Sequence, residues 1–253
     1  MRAKLLDDPS GLREKPVRIH ISGLNEWRDY DRYPPGPPAM QSWHIQPGGA
    51  LAQAAPPAAE PDRYRYDPAD PTPNIGGNMF AFTGAGPVDN ALRENRGDVL
   101  CYTSGPLAED LTIIGQTQVT LHAGTSLQHA DFFLRLCDLD EDGISINICD
   151  GLIRVTPQTP TEPDGTWRLN FTLHAAALGT SDQVVGVIHT TPNPGPANTK
   201  PPVFSASRAP GPSEARTTSS APASRSACAS FSAPGPVDSS NAFIIKPIIP
   251  HDD

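Results

Sequence analysis

Apolar and polar residues alternate with a period of two along several short runs of this chain, and each run ends in a turn signal. Val17, Ile19 and Ile21 alternate with Arg18 and His20 before Gly23 closes the run. Val99–Thr103 and Leu111–Ile114 are short apolar stretches. In Gln116–His122, Val119 and Leu121 oppose Gln118, Thr120 and His122. Phe132–Leu139 sets Phe132, Leu134 and Leu136 on one face and Phe133, Arg135 and Cys137 on the other. Asp140-Glu141-Asp142-Gly143 is a strong turn, and Ile144–Val155 returns as the partner strand. Trp167–His174 alternates again, with Leu169, Phe171 and Leu173 against Arg168, Asn170 and Thr172. Many short strands separated by turns predict a mainly β fold, an all-β sandwich.

Composition sharpens the borders of that sandwich. The chain has 253 residues and 30 prolines, which favours short strands and irregular loops over long helices. Residues 1–15 are charged and predict the end of a helix. Residues 34–75 are rich in proline and alanine and predict a crossing segment, with one strand near Ser42–Ile45. Beyond residue 179 the alternation stops. Residues 191–240, rich in Ser, Ala, Pro and Thr, predict disorder, and 241–253 a closing strand and tail. The net charge of -9 excludes a nucleic-acid surface, which needs clustered Lys and Arg. No apolar run approaches the roughly 18 residues of a membrane span. The N-terminus has no hydrophobic signal core, so a cytoplasmic location is the expectation. Cys101, Cys137, Cys149 and Cys228 show no CxxC spacing, and the first three read as small buried hydrophobes.

Candidate chemistry is sparse. No G-x-S-x-G nucleophile elbow occurs; Gly211–Ala215 comes nearest, but a proline beside its serine suits no elbow. Histidines 20, 44, 122, 129, 174, 189 and 251 are scattered and read as surface or strand residues. Asp138–Gly143 imitates the start of a calcium loop. The twelfth position, which requires a bidentate Glu, is Cys149, so a hairpin turn is the better reading. Asn25–Asp29 clusters charge around Trp27 and predicts an inter-domain anchor with a buried indole and a paired Arg28.

Five blocks carry a resemblance. PVRIHISGLNEWRDYDRYPP (16–35), DRYRYDPADPTPNIGG (62–77), GDVLCYTSGPLAEDLTIIGQTQVTLHAG (97–124), ADFFLRLCDLDEDGISINICDGLIRV (130–155) and AFIIKPIIP (242–250) arrive in the order seen in CocE/NonD-type serine hydrolases, the Xaa-Pro dipeptidyl-peptidase-like family. The resemblance implies a jelly-roll-like β-sandwich over 36–190, preceded in 1–35 by the last strand of an α/β-hydrolase domain. It implies a parent reaction of serine-nucleophile hydrolysis on a small peptide or ester substrate, without a cofactor or metal. The triad in that family lies upstream, so this chain alone is expected to be inactive and its partner to be an upstream α/β-hydrolase domain. The jelly roll is expected to cap the active site. In the resembling loop, Gly76 and Gly77 allow close backbone approach, and Phe80 or Phe82 is the expected pocket-lining side chain. The family strand resembling PGHRIRLxV is missing here; with one set of GC-rich codons for residues 220–231, a frame read two bases later gives a similar sequence, so a frameshift near residue 179, restored before about 241, is the expectation. With that strand missing and Val17–Ile21 short of its sheet partners, self-association, including a homo-oligomer, is also expected. A free-standing β-sandwich binding module, for carbohydrate or protein, is the competing expectation.

Overall fold

The period-two runs pair into antiparallel ladders in a computed structural model that describes residues 13–35, 39–78, 83–190, 203–207 and 242–248. In chain order the strands are β1 (Val17–Ile21), β2 (Glu26–Tyr30), β3 (Ala39–Gln46), β4 (Ala50–Ala52), β5 (Asp62–Arg65), β6 (Val99–Ser104), β7 (Leu111–Gly115) and β8 (Gln118–Thr125). They continue with β9 (Ala130–Leu139), β10 (Ser145–Val155), β11 (Trp167–Thr172), β12 (Ala176–Thr180), β13 (Gln183–Thr190), β14 (Val203–Ser207) and β15 (Ala242–Ile248). One short helix, α1 (Ala91–Glu94), precedes β6. No described helix is long and apolar enough to cross a membrane.

Thirteen strands form one sheet in the order β10-β9-β13-β6-β4-β3-β15-β8-β14-β5, with β11 on β8, and β7 bridging β12 and β15. Both arms of the sheet share one core. Phe132, Leu134 and Leu136 of β9 join Val119 and Leu121 of β8 and Trp167, Leu169 and Phe171 of β11 in a single buried cluster. Each such side chain contributes about 1.5–3 kcal/mol by leaving water. This is the expected mainly β sandwich.

The β9–β10 hairpin turns where the sequence predicts it. Gly143 has φ +83°, and the Asp140 carboxylate accepts the Ile144 N–H at 2.8 Å. A bulge then decides which residues meet. Asn147 pairs with Cys137, but after the register shift Cys149 pairs with Leu136 and Asp150 with Arg135. Strict alternation would put Asn147 and Asp150 on opposite faces. The one extra residue brings both onto the face of Arg135.

Several sequence expectations change. Residues 179–190 continue the sandwich, because β13 lies between β9 and β6. Val184, Val185, Val187 and Ile188 are all buried, so this central strand is apolar on both faces and shows no alternation to read. Residues 26–30, where no strand was expected, form β2 and give β1 an antiparallel partner, with Arg18 bidentate to Asp29 at 2.6 and 2.8 Å. Trp27 is not buried: its relative exposure is 62%, and its indole packs edge-on against His20, while Arg28 pairs with Glu26. The proline-rich stretch 34–75 holds β3, β4 and β5 rather than one strand. Residues 203–207, inside the segment expected to be disordered, form β14 between β8 and β5. The rest of that segment, including 220–231, lies outside the described residues, as do residues 1–12 and Cys228.

The β1–β2 hairpin joins the sandwich through β12. Ser22 N–H donates to Ala177 O at 3.0 Å and Gly179 N–H to Ser22 O at 2.9 Å. Gly23, at φ +82°, sits where a Cβ would lie 2.2 Å from the Gly179 carbonyl oxygen, so only glycine fits this junction.

Candidate functional site

The Gly76–Gly77 turn rests on a layer of buried polar side chains over the outer face of β9 and β10. Gly76 N–H donates to Gly84 O and Gly77 N–H to Gly86 O, both at 2.8 Å, and Gly86 N–H returns to Gly77 O at 3.0 Å. These bonds draw the backbone at 76–77 and 84–86 together. Phe80 and Phe82 lie outside the described residues, so of the four expected site residues the described structure locates Gly76 and Gly77.

Both glycines have positive φ, +66° and +79°. A Cβ on Gly76 would meet Asn147 Oδ1 at 2.5 Å, and one on Gly77 would meet Asp150 Oδ2 at 2.2 Å. The paired glycines therefore let the backbone descend onto the polar layer.

Arg135 is the centre of that layer, its side chain wholly buried. One terminal nitrogen donates to the Ile75 carbonyl and to Asn90 Oδ1 at 2.9 Å. The other donates to Gly76 O at 3.3 Å and to Asp150 Oδ2 at 2.8 Å. One guanidinium thus ties the sheet, the α1 entry and the turn together, using the planar fork that lysine lacks. Asn90 Nδ2 donates to Val88 O at 2.7 Å, and Asn147 Oδ1 accepts the Val88 N–H at 2.9 Å. The second Asp150 oxygen faces His174 Nδ1 at 3.1 Å. The His174 backbone N–H also donates to Asp150 O at 3.0 Å.

A second guanidinium lies close by. Arg93, on α1, is buried, and its carbon stands 5.9 Å from the Phe133 ring centre; Arg135 lies 5.1 Å from the same ring and His189 stacks on it at 4.6 Å. Among the described residues, Arg93 Nε, Nη1 and Nη2 have no hydrogen-bond partner. Burial and the neighbouring Arg135 charge push its pKa down to about 10. Its neighbour Glu94 is pushed up, by burial first, although Ser145 Oγ donates to it at 2.8 Å. A buried charge without acceptors costs several kcal/mol, more than the roughly 2 kcal/mol of a cation–π contact. Arg93→Met, which keeps the apolar stem, is therefore expected to be neutral or to stabilise by about 1–2 kcal/mol in urea unfolding. A loss above about 2 kcal/mol would show that the charge is compensated.

Elsewhere the described residues offer little chemistry. An open hollow of about 280 Å³ is lined by Arg65, Asp67, Asp70, Arg96, Gly97 and Asp98. Arg96 bridges Asp98 at 2.7 Å and Asp70 at 3.1 Å, which makes it a structural clasp at some distance in sequence from the glycine turn. Burial alone would push the Asp98 carboxyl up, but hydrogen bonds from Arg96 and Thr72 outweigh it and hold it below the usual range. No cluster of three or more His, Cys, Asp or Glu among the described residues could hold a metal. Cys101, Cys137 and Cys149 are free thiols, and burial pushes all three up, Cys149 to about 12. None is poised as a nucleophile.

Sequence reasoning found the glycines and missed the layer beneath them. Arg135 was visible as a charge inside the apolar run FFLRLC, but the rest of the layer, Asn90, Asn147, Asp150 and His174, comes from three other segments, and the bulge that aligns two of them has no signature of its own.

Comparison with known proteins places this arrangement. Cocaine esterase from Rhodococcus sp. is 32% identical over 149 residues, covering 55% of this chain and 26% of the esterase. Among solved structures, an aminopeptidase from a marine sediment Thaumarchaeota archaeon matches with a TM-score of 0.71 at 21% identity, over 98% of this chain and 42% of that one. An α-amino acid ester hydrolase matches equally well, with a TM-score of 0.71 at 19% identity, over 98% of this chain and 43% of that one. The chain thus spans about a quarter of the esterase's length and less than half of each solved chain. The model of the X-Pro dipeptidyl-peptidase C-terminal non-catalytic domain matches residues 10–179, which takes in the β1–β2 hairpin, the glycine turn and its buried clamp, and the chain belongs to that family.

Proposed function

We propose that this chain is the substrate-capping domain of a serine hydrolase whose catalytic groups reside on a separate α/β-hydrolase domain. The observation that carries this reading is the Gly76–Gly77 turn, held from beneath by the buried Arg135. Rigid backing is what a loop needs if it is to shape a pocket belonging to another domain. Gly76 and Gly77 set the path of the loop, and Phe80 and Phe82 line the acyl or proline side of the substrate. The substrate is a small peptide, Xaa-Pro or another, or a related ester or amide. The β1–β2 hairpin, with Trp27 and Leu24 exposed beside the β12 junction, supplies docking surface toward the catalytic domain.

The reading makes a direct biochemical prediction. The purified chain will hydrolyse neither peptides nor esters and will not react with a fluorophosphonate probe, since its sequence holds no nucleophile elbow. Co-expression with the matching α/β-hydrolase domain is expected to give a complex that labels on that domain. Labelling of any serine in the isolated chain, or absence of a complex, counts against the proposal. A free-standing carbohydrate module fits less well. Trp43 and Trp167 are buried and only Trp27 is exposed, so the described sheet faces present no aromatic platform.

A further inference from the structure

We infer that His174 is a specificity-determining residue that accepts a hydrogen bond from an amide N–H of a peptide substrate; the inference rests on the capping role proposed above. The side chain is half exposed, 56%, whereas the carboxylate that holds it is nearly buried. Asp150 uses its two oxygens differently. Oδ2 is bound by Arg135 at 2.8 Å and occupies the space that a Cβ on Gly77 would need, while Oδ1 faces His174 Nδ1 at 3.1 Å. The backbone bond from His174 N–H to Asp150 O fixes the ring from its own main chain as well. His174 therefore sits on the far side of the same carboxylate that the glycine turn covers, within a side chain's breadth of the turn.

The partner dictates the tautomer. A carboxylate only accepts, so in the neutral ring Nδ1 carries the proton and Nε2 keeps its lone pair. The ring is then an oriented acceptor, held by a buried acid that is itself held by a buried guanidinium. This is the order of groups by which an imidazole is normally aimed, the orienting group behind and the working nitrogen in front. Among the described residues no serine, threonine or cysteine is hydrogen-bonded to His174, so none of them is a nucleophile for it to activate. What it offers a neighbouring substrate is recognition. A peptide N–H meets this acceptor, whereas an ester oxygen at the same place meets it lone pair to lone pair. Rejection of that kind comes from leaving a positioned polar group unpaired.

Two measurements test this. The first is the ring tautomer in the full chain, by long-range ¹H–¹⁵N correlation at about pH 8, above the ordinary histidine range. A proton on Nδ1 is expected, with Asp150→Asn redistributing it; a proton on Nε2 overturns the inference. The second is kinetic, in the complex with the catalytic domain, using alanyl-alanyl p-nitroanilide and its alanyl-lactyl analogue, in which an ester oxygen replaces the internal N–H. His174→Leu is expected to lower kcat/KM for the peptide about tenfold and to leave the depsipeptide within about twofold, the scale of one hydrogen bond. His174→Gln, which restores an acceptor, is expected to recover part of the loss. Equal effects on both substrates, or none on either, overturn the inference and leave the capping role standing. Failure of the complex to form overturns the capping role and the inference with it.

Discussion

Gly77→Ala is expected to destabilise the chain by about 4–7 kcal/mol, far more than an alanine at a comparable open turn. Two costs combine. The backbone holds φ at +79°, where an L side chain costs about 1–2 kcal/mol. The new Cβ would also lie 2.2 Å from Asp150 Oδ2 and 2.8 Å from the Arg135 guanidinium. The neighbour that must yield is half of a buried ion pair, and separating such a pair costs about 3–5 kcal/mol. Gly48 provides the control, with φ +78° and nothing within 4 Å of an added Cβ. Gly48→Ala is expected to cost about 1 kcal/mol, the conformational term alone. Urea unfolding of the two variants separates strain from collision. Equal losses would mean that the turn can lift off the sheet cheaply and that the clamp beneath it is weak. Hydrogen exchange at the Gly77 and Gly86 amides, bonded to each other's carbonyls, reports the same event locally.

The comparison of Gly77 with Gly48 also marks what a sequence can disclose. Both glycines suggest a turn, and only the folded neighbours say which one is irreplaceable. Alternation disclosed β11, whose second face is exposed, and β8, whose Gln118, Thr120 and His122 are polar between apolar neighbours, whereas β9, buried on both faces from Ala130 to Cys137, shows only Arg135 inside its apolar run. It failed at β13, where Val184, Val185, Val187 and Ile188 are buried on both faces and the strand reads like any apolar run. It failed at β2 for the opposite reason: Glu26–Tyr30 is mostly polar and packs little, so its pairing with β1 leaves no hydrophobic trace. The hairpin turn at Asp140–Gly143 was legible because its chemistry is local. The candidate site was legible only in its backbone. Gly76 and Gly77 announce a close approach, but the thing approached is assembled from Asn90, Arg135, Asn147, Asp150 and His174 across more than eighty residues of chain. A one-residue bulge between Asn147 and Cys149 decides that Asp150 faces Arg135 at all. Nothing in the residue types of SINICDG requires the bulge to fall there.

Breaking the clamp itself should show the second large effect. Arg135→Met is expected to lose about 3–5 kcal/mol from the ion pair alone, because it leaves the Asp150 carboxylate, nearly buried, without its main counter-charge. The loss has further parts. The carbonyls of Ile75 and Gly76 and the Oδ1 of Asn90 all accept from this one guanidinium. Each acceptor left dry adds on the order of 1 kcal/mol, so the total approaches the 5–15 kcal/mol stability of a whole domain. Arg135→Lys should fall between, since an ammonium replaces the charge but cannot reach the sheet, the turn and Asn90 together. The partner substitution Asp150→Leu carries its own penalty by stranding the guanidinium. The two losses should not add. Once one charge is gone, removing the other relieves a buried, unpaired ion, so the double variant is expected to be more stable than the sum of the singles by about 2–3 kcal/mol. Equilibrium unfolding of the four species in urea gives that coupling directly. Additivity within about 0.5 kcal/mol would mean that the two groups act independently, and that the turn at Gly76–Gly77 is held by its own backbone bonds rather than by the charge beneath it.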